Sequence, residues 1–210
     1  KQLATYYIAE ARALRALYYF ELVRWFGNVA LVTSTSESYK PNDYFEQVPP
    51  EKVYAFIEED LKYAADVLPW ANDDHVRSSN DFRFSKGGAL GLLTKVYCTW
   101  AGYPVKDESK WAEAVKTAKI VVESGRHGLL PKFRTLWENS GASVWDPTES
   151  LVEVSFYWNS KTGSSDPVGM IGKWNGVLTS QAGNRGTCQA RWRVVYPFVQ
   201  KWENALPDDP

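Results

Sequence analysis

Ala9-Glu10-Ala11-Arg12-Ala13-Leu14-Arg15-Ala16-Leu17-Tyr18-Tyr19-Phe20-Glu21-Leu22-Val23-Arg24-Trp25-Phe26-Gly27-Asn28-Val29-Ala30-Leu31-Val32 decides the fold. At 3.6 residues per turn, Tyr7, Ala11, Leu14, Tyr18, Leu22 and Trp25 share one stripe, while Ala13, Leu17, Phe20 and Val23 cover other sides. A helix apolar on nearly all sides must be enclosed by other helices. Gly27 and Asn28 tolerate left-handed backbone and end it. The Ser-, Thr- and Asn-rich stretch 33–48 that follows reads as a long surface loop.

Three further helices follow from the same periodicity. Pro49-Pro50 opens one in which Val53, Ile57, Leu61, Ala64 or Ala65, and Leu68 keep a three-to-four spacing. Glu58, Glu59, Asp60 and Lys62 take its outer, solvated side, and Pro69 stops it. Ser85 offers an N-cap to a third helix carrying Ala89, Leu92, Leu93, Val96, Tyr97 and Trp100. A fourth, over 109–124, carries Trp111, Ala114, Ala118 and Val121, with Gly125 placed to cap it. Trp25, Trp100 and Trp111 are expected in the core. Helices of this length with alanine at contact points predict tetratricopeptide-like hairpins stacked side by side.

After residue 128 the texture changes, with shorter patterns and more Gly and Ser. Leu151-Val152-Glu153-Val154-Ser155-Phe156-Tyr157-Trp158 alternates with period two and predicts a strand, with Val152, Val154, Phe156 and Trp158 on one face. The region 159–187 reads as loop, and Pro197 fits the first turn of a short helix to Glu203. The division is 1–128, helical, and 129–210, loop-rich and ligand-binding, within one compact unit.

The sequence resembles the SusD/RagB family of surface nutrient-binding lipoproteins. The residues that carry this are Ala9–Arg12, Leu14–Phe20, and Phe26-Gly27-Asn28-Val29-Ala30-Leu31-Val32, where Ala30 stands for the family's usual proline. Val53-Tyr54, Ile57, Asp60-Leu61, Ala64 and Leu68-Pro69 form a second motif in the same order. Weaker matches lie at Ser85–Tyr97, at the acidic strand Glu149–Phe156, and at Pro197–Pro210, where Leu206-Pro207-Asp208-Asp209-Pro210 resembles an aspartate-proline-arginine motif cut before its arginine. The resemblance implies a mainly α, SusD-like fold with an irregular part containing a few short strands. It also implies a protein lipid-anchored on the outer face of the outer membrane, which captures oligosaccharide and passes it to a TonB-dependent SusC-like transporter without catalysis. Lys1 opens directly into a helical pattern and both ends read as cut, as in an internal fragment truncated at the C-terminus.

Composition narrows the chemistry. With 24 basic and 25 acidic side chains and a net charge of -1, nothing suits a phosphate backbone, so nucleic acid is not expected as a partner. His75 and His127 are isolated, and Cys98 and Cys188 are too few for a thiolate metal site or a disulfide framework, so no metal or cofactor is expected. A Cys98–Cys188 bridge is the one pairing open to them. Glycoside hydrolysis needs two carboxyl groups flanking the scissile bond. Of the candidates Asp146, Glu149, Glu153 and Asp166, the pair Glu149 and Glu153 on an extended strand would lie roughly 13 Å apart, too wide.

The unusual quantity is aromatic content, 15%, with 10 Trp against one Met. Exposed indoles stack on the apolar faces of sugars, with amide, carboxylate and guanidinium groups reading the hydroxyls. That chemistry gathers in the loop-rich part as Tyr157, Trp158, Trp174, Asn175, Arg185 and Trp192, with Trp70 beyond Pro69 a further option. Trp174 lies between glycines and polar residues, whereas period two turns Trp158 toward the core. The competing readings are a tetratricopeptide-type protein-interaction scaffold and a glycan-cleaving enzyme.

Overall fold

The computed structural model describes residues 1–33, 45–71, 73, 83–141, 144, 148–153, 197, 200 and 201. Its order is α1 (Gln2–Phe26), β1 (Val29–Ala30), β2 (Gln47–Val48), α2 (Pro50–Val67), α3 (Lys86–Ala101), α4 (Lys110–Glu123) and α5 (Phe133–Gly141). The chain divides into two compact units, Lys1–Val154 and Ser155–Pro210, so the first reaches past residue 128. In the second, Pro197, Gln200 and Lys201 are helical, where the short helix is expected.

Within the first unit α1 packs on α2, α2 on α3 and α3 on α4, a row of helical hairpins. The local signals account for the boundaries. Gly27 takes φ 70° and its N–H caps Val23, Pro50 stands in the first turn of α2, and Gly125 takes φ 65° beyond α4. The Ser85 hydroxyl accepts the Gly88 N–H at 3.2 Å, closing the N-terminus of α3. Ser85→Ala is expected to lose about 1 kcal/mol of stability, read as a lower denaturant midpoint. Val29 pairs with Val48 and Ala30 with Gln47 in a two-residue antiparallel ladder that closes the base of the 33–48 loop. The Tyr19 hydroxyl fixes the chain's exit from α1, accepting the Val32 N–H at 2.7 Å and donating to the Val32 carbonyl at 3.0 Å.

α1 is not enclosed on all sides. It buries Tyr6, Ala9, Glu10, Ala13, Ala16, Tyr19, Phe20 and Val23. The large stripe Tyr7, Leu14, Tyr18, Leu22 and Trp25 is exposed, and Trp25, expected in the core, is 75% accessible. The physical reason is the closeness of α1 to α2. Ala9, Ala13 and Ala16 have no accessible surface, and small side chains are what let two helix backbones approach, so the alanines mark the interface. Trp111 is likewise 50% exposed on α4, whereas Trp100 is buried and stacks on Tyr54 at 5.4 Å.

The outer charges of α2 are also corrected. Asp60 is 1% exposed and accepts a bidentate pair of hydrogen bonds from Arg15, at 2.8 and 2.9 Å, with Arg12 at 3.8 Å. Arg15 lies over Phe56 and Arg12 over Tyr63, so aromatic faces of α2 support both guanidinium groups. Glu58 is half-buried and accepts from Lys62, Lys110 and Tyr97 at 2.6, 3.0 and 2.8 Å. Glu59 and Lys62 remain on the solvated side.

Burial raises the Glu58 carboxyl, but those three hydrogen bonds outweigh it and hold the group below its ordinary 4.5. The stability Glu58 contributes is therefore whole above pH 4.5 and is lost as pH falls through the lower folded value. On going from about pH 7 to about pH 3, the urea midpoint of Glu58→Gln should drop less than that of the unmodified chain. Burial and the neighbouring Glu58 push the Tyr97 hydroxyl above its ordinary 10.0, so stability also declines once pH rises past that value.

Past residue 128 the sequence reading departs further. α5 is a helix where only loop texture is legible, and the expected strand does not begin at Leu151, since residues 148 and 149 form a turn and 151 and 152 a bend. The rest of that run, from Val154 to Trp158, lies outside the described residues. Cys98 is an exposed free thiol, and Cys188 lies outside the described residues. No helix among the described residues is long and apolar enough to cross a membrane.

Candidate functional site

The site grows from α5. Phe133 and Trp137, one turn apart, meet edge to face at 6.1 Å and 76°, yet both stay open to solvent, Trp137 at 64%. Beyond them the chain folds back. The Val144 N–H caps the Asn139 carbonyl at 2.8 Å, and the Gly128 N–H donates to the Thr148 carbonyl at 3.1 Å. The result is an open hollow of about 330 Å³ lined by Leu136, Trp137, Asn139, Val144, Glu149, Ser150 and Glu153.

Its carboxylate wall is positioned by α3. A Cβ on Gly88 would meet the Leu151 carbonyl oxygen and Val152 Cγ2 at 2.8 Å each, and one on Gly91 would meet Leu151 Cδ1 at 2.7 Å. The glycines thus let segment 148–153 lie directly on the helix, with Leu151 packed against the core. One oxygen of Glu149 accepts the Leu130 N–H at 2.8 Å, and one of Glu153 accepts the Ser150 hydroxyl at 3.0 Å. Each carboxylate keeps a second oxygen with acceptor capacity. A wide aromatic face beside two oriented acceptors and an amide is the donor and acceptor set that a pyranose ring requires. A second hollow of about 300 Å³ shares Glu153 and is lined also by Leu14, Leu17, Phe84, Glu10 and Arg83, the last two hydrogen-bonded to each other.

Of the sugar contacts singled out from sequence, only Trp70 lies among the described residues. It is half-buried, packs on the core, and its ring centroid is 6.0 Å from that of His127, away from the hollow. Tyr157, Trp158, Trp174, Asn175, Arg185 and Trp192 lie outside the described residues, as does His75. Trp137 was not among the candidates. Its signal was present, an indole four residues after Phe133 and one after Leu136, but the helical pattern is only two turns long. The strand that would hold Glu149 and Glu153 apart is not formed there: a bend at residues 151 and 152 lies between them, and both line one hollow. Among the described residues no three His, Cys, Asp or Glu side chains gather as metal ligands.

A row of helical hairpins stacked side by side is a tetratricopeptide-like architecture. Residues 4–98 match the SusD-like family described as starch-binding and associating with the outer membrane. A SusD homologue of Bacteroides thetaiotaomicron VPI-5482 is 63% identical, with a TM-score of 0.85 over 97% of this chain and 38% of that one. A solved structure with a xylogluco-oligosaccharide is 26% identical, with a TM-score of 0.65 over 87% of this chain and 34% of that one. A SusD-like protein of Bacteroides ovatus is 28% identical over 80% of this chain and 31% of its own length. Over residues 4–98 the chain resembles the SusD-like family, and it spans about a third of the length of these relatives.

Proposed function

We propose that the chain captures oligosaccharide at the outer surface of the outer membrane, as part of a lipid-anchored protein that hands its ligand to a SusC-like TonB-dependent transporter. The observation that carries the reading is the Trp137 ring, left 64% accessible in a hollow whose other walls supply Glu149, Glu153, Asn139 and Ser150. The sugar's apolar face would stack on the indole while its hydroxyls donate to the free carboxylate oxygens. The relative held with a xylogluco-oligosaccharide and the starch-binding description of the family support this ligand class. Tyr157, Trp158, Trp174, Asn175, Arg185 and Trp192 remain candidates for ligand contacts from the loop-rich part, and Trp70 for a packing role beside His127.

Binding would be passive. Two carboxylates in one hollow are the observation that favours a glycosidase as second reading, but a general acid must hold a proton, which takes an apolar, closed pocket. Here the hollow is open, without the closed apolar surroundings such an acid takes. Calorimetric titration against neutral polysaccharides should give heat without release of reducing ends. Trp137→Ala, on an exposed surface, should weaken that binding at least roughly tenfold, or ~1.4 kcal/mol, with unchanged thermal unfolding. A protein-interaction scaffold would give no heat with any sugar.

A further inference from the structure

We infer that the Trp137 hollow selects uncharged glycans and rejects polyanionic ones, those bearing uronate or sulfate groups. The inference rests on the reading of this hollow as a sugar site. Among its described lining residues the two charged side chains, Glu149 and Glu153, are both carboxylates. Neither is held by a cation there: Glu149 takes a backbone N–H and Glu153 a serine hydroxyl, contacts that orient the groups without cancelling their charge. In the adjoining hollow that shares Glu153, the guanidinium of Arg83 is engaged by Glu10. A ring stacked on Trp137 therefore meets acceptors with a net negative field. Neutral hydroxyls donate into it, whereas a ring carboxylate or sulfate brings a like charge within a few ångströms of two others, with no cation among the described lining residues to offset it. Because the hollow is open, this repulsion is partly screened and weakens as salt is added.

The test titrates the full chain, by calorimetry at low and at moderate ionic strength, with neutral xyloglucan and β-glucan oligosaccharides and with oligogalacturonate of similar length. The expected result is binding of a neutral oligosaccharide, with oligogalacturonate weaker by roughly tenfold or more at low salt. Glu149→Gln/Glu153→Gln keeps an acceptor for the Leu130 N–H and the Ser150 hydroxyl while removing both charges, and should bring the two ligand classes to similar affinity. Oligogalacturonate bound as tightly as the neutral sugars by the unmodified chain, and lost in Trp137→Ala, would overturn the charge selection and leave the sugar site standing. A gap that the double variant does not narrow would also overturn it. Sugar binding that Trp137→Ala leaves untouched would instead remove the site, and this inference with it.

Discussion

Arg15→Met should cost about 3–5 kcal/mol of folding stability, the larger of the two effects expected in the helical core. Asp60 is sealed between α1 and α2 at 1% exposure, and its two short hydrogen bonds both come from Arg15. Without them the carboxylate keeps only Arg12 at 3.8 Å, and a buried charge with one distant partner is far from compensated. Removing the other member should be milder. The Arg15 side chain is 36% accessible, so in Asp60→Asn its guanidinium can turn to water, and the cost falls to about 1–2 kcal/mol. Combining Arg15→Met with Asp60→Leu should recover much of the loss, since an apolar pair of similar size needs no desolvation compensation. For a chain of this size the single Arg15 variant corresponds to a melting temperature lower by roughly 6–20 °C. Equal losses for Arg15→Met and Asp60→Asn would contradict the account of who is buried.

Gly88→Ala should disable the hollow from behind while leaving the helices formed. The new methyl meets the Leu151 carbonyl oxygen and a Val152 methyl at 2.8 Å, closer than carbon atoms tolerate. Because one obstacle is backbone, it cannot be relieved by a rotamer change, and segment 148–153 must lift off α3, taking Glu149, Ser150 and Glu153 with it. Overpacking of this kind costs about 1–3 kcal/mol, while alanine in place of glycine returns about 1 kcal/mol of helix propensity. Stability should thus change modestly, whereas affinity for a neutral oligosaccharide falls at least roughly tenfold. Gly91→Ala is the control. Its methyl meets only the movable end of Leu151, so binding should survive nearly intact.

How much of this was legible depends on what each signal measures. Helix ends were readable because they rest on local chemistry: Gly27 and Gly125 at positive φ, Pro50 in a first turn, Ser85 as a cap. The stripe on α2 was readable because large apolar residues there face the core. On α1 the same logic predicted burial on all sides where only one is buried, since periodicity reports hydrophobicity and not how close the partner lies. The alanines Ala9, Ala13 and Ala16 carried the contact, and the ring-bearing residues were left outside. Asp60 looked like one more surface charge because its partner Arg15 is 45 residues away in sequence. The site was harder still. Trp137 belongs to a nine-residue helix, and the carboxylates it faces are positioned by glycines on α3, a contact that no spacing rule contains. The family resemblance, by contrast, was legible from the first helix and its exit, because a long ordered match does not depend on which face is buried.

In the proposed function a sugar ring docks on Trp137 between α5 and the Glu149–Glu153 segment. A crystal structure of the chain soaked with a neutral oligosaccharide that it binds in solution tests this most directly. The expected result is a pyranose stacked on the indole, with its hydroxyls donating to Glu149 and Glu153. Well-defined sugar elsewhere on the chain, with the Trp137 ring left bare, would contradict it.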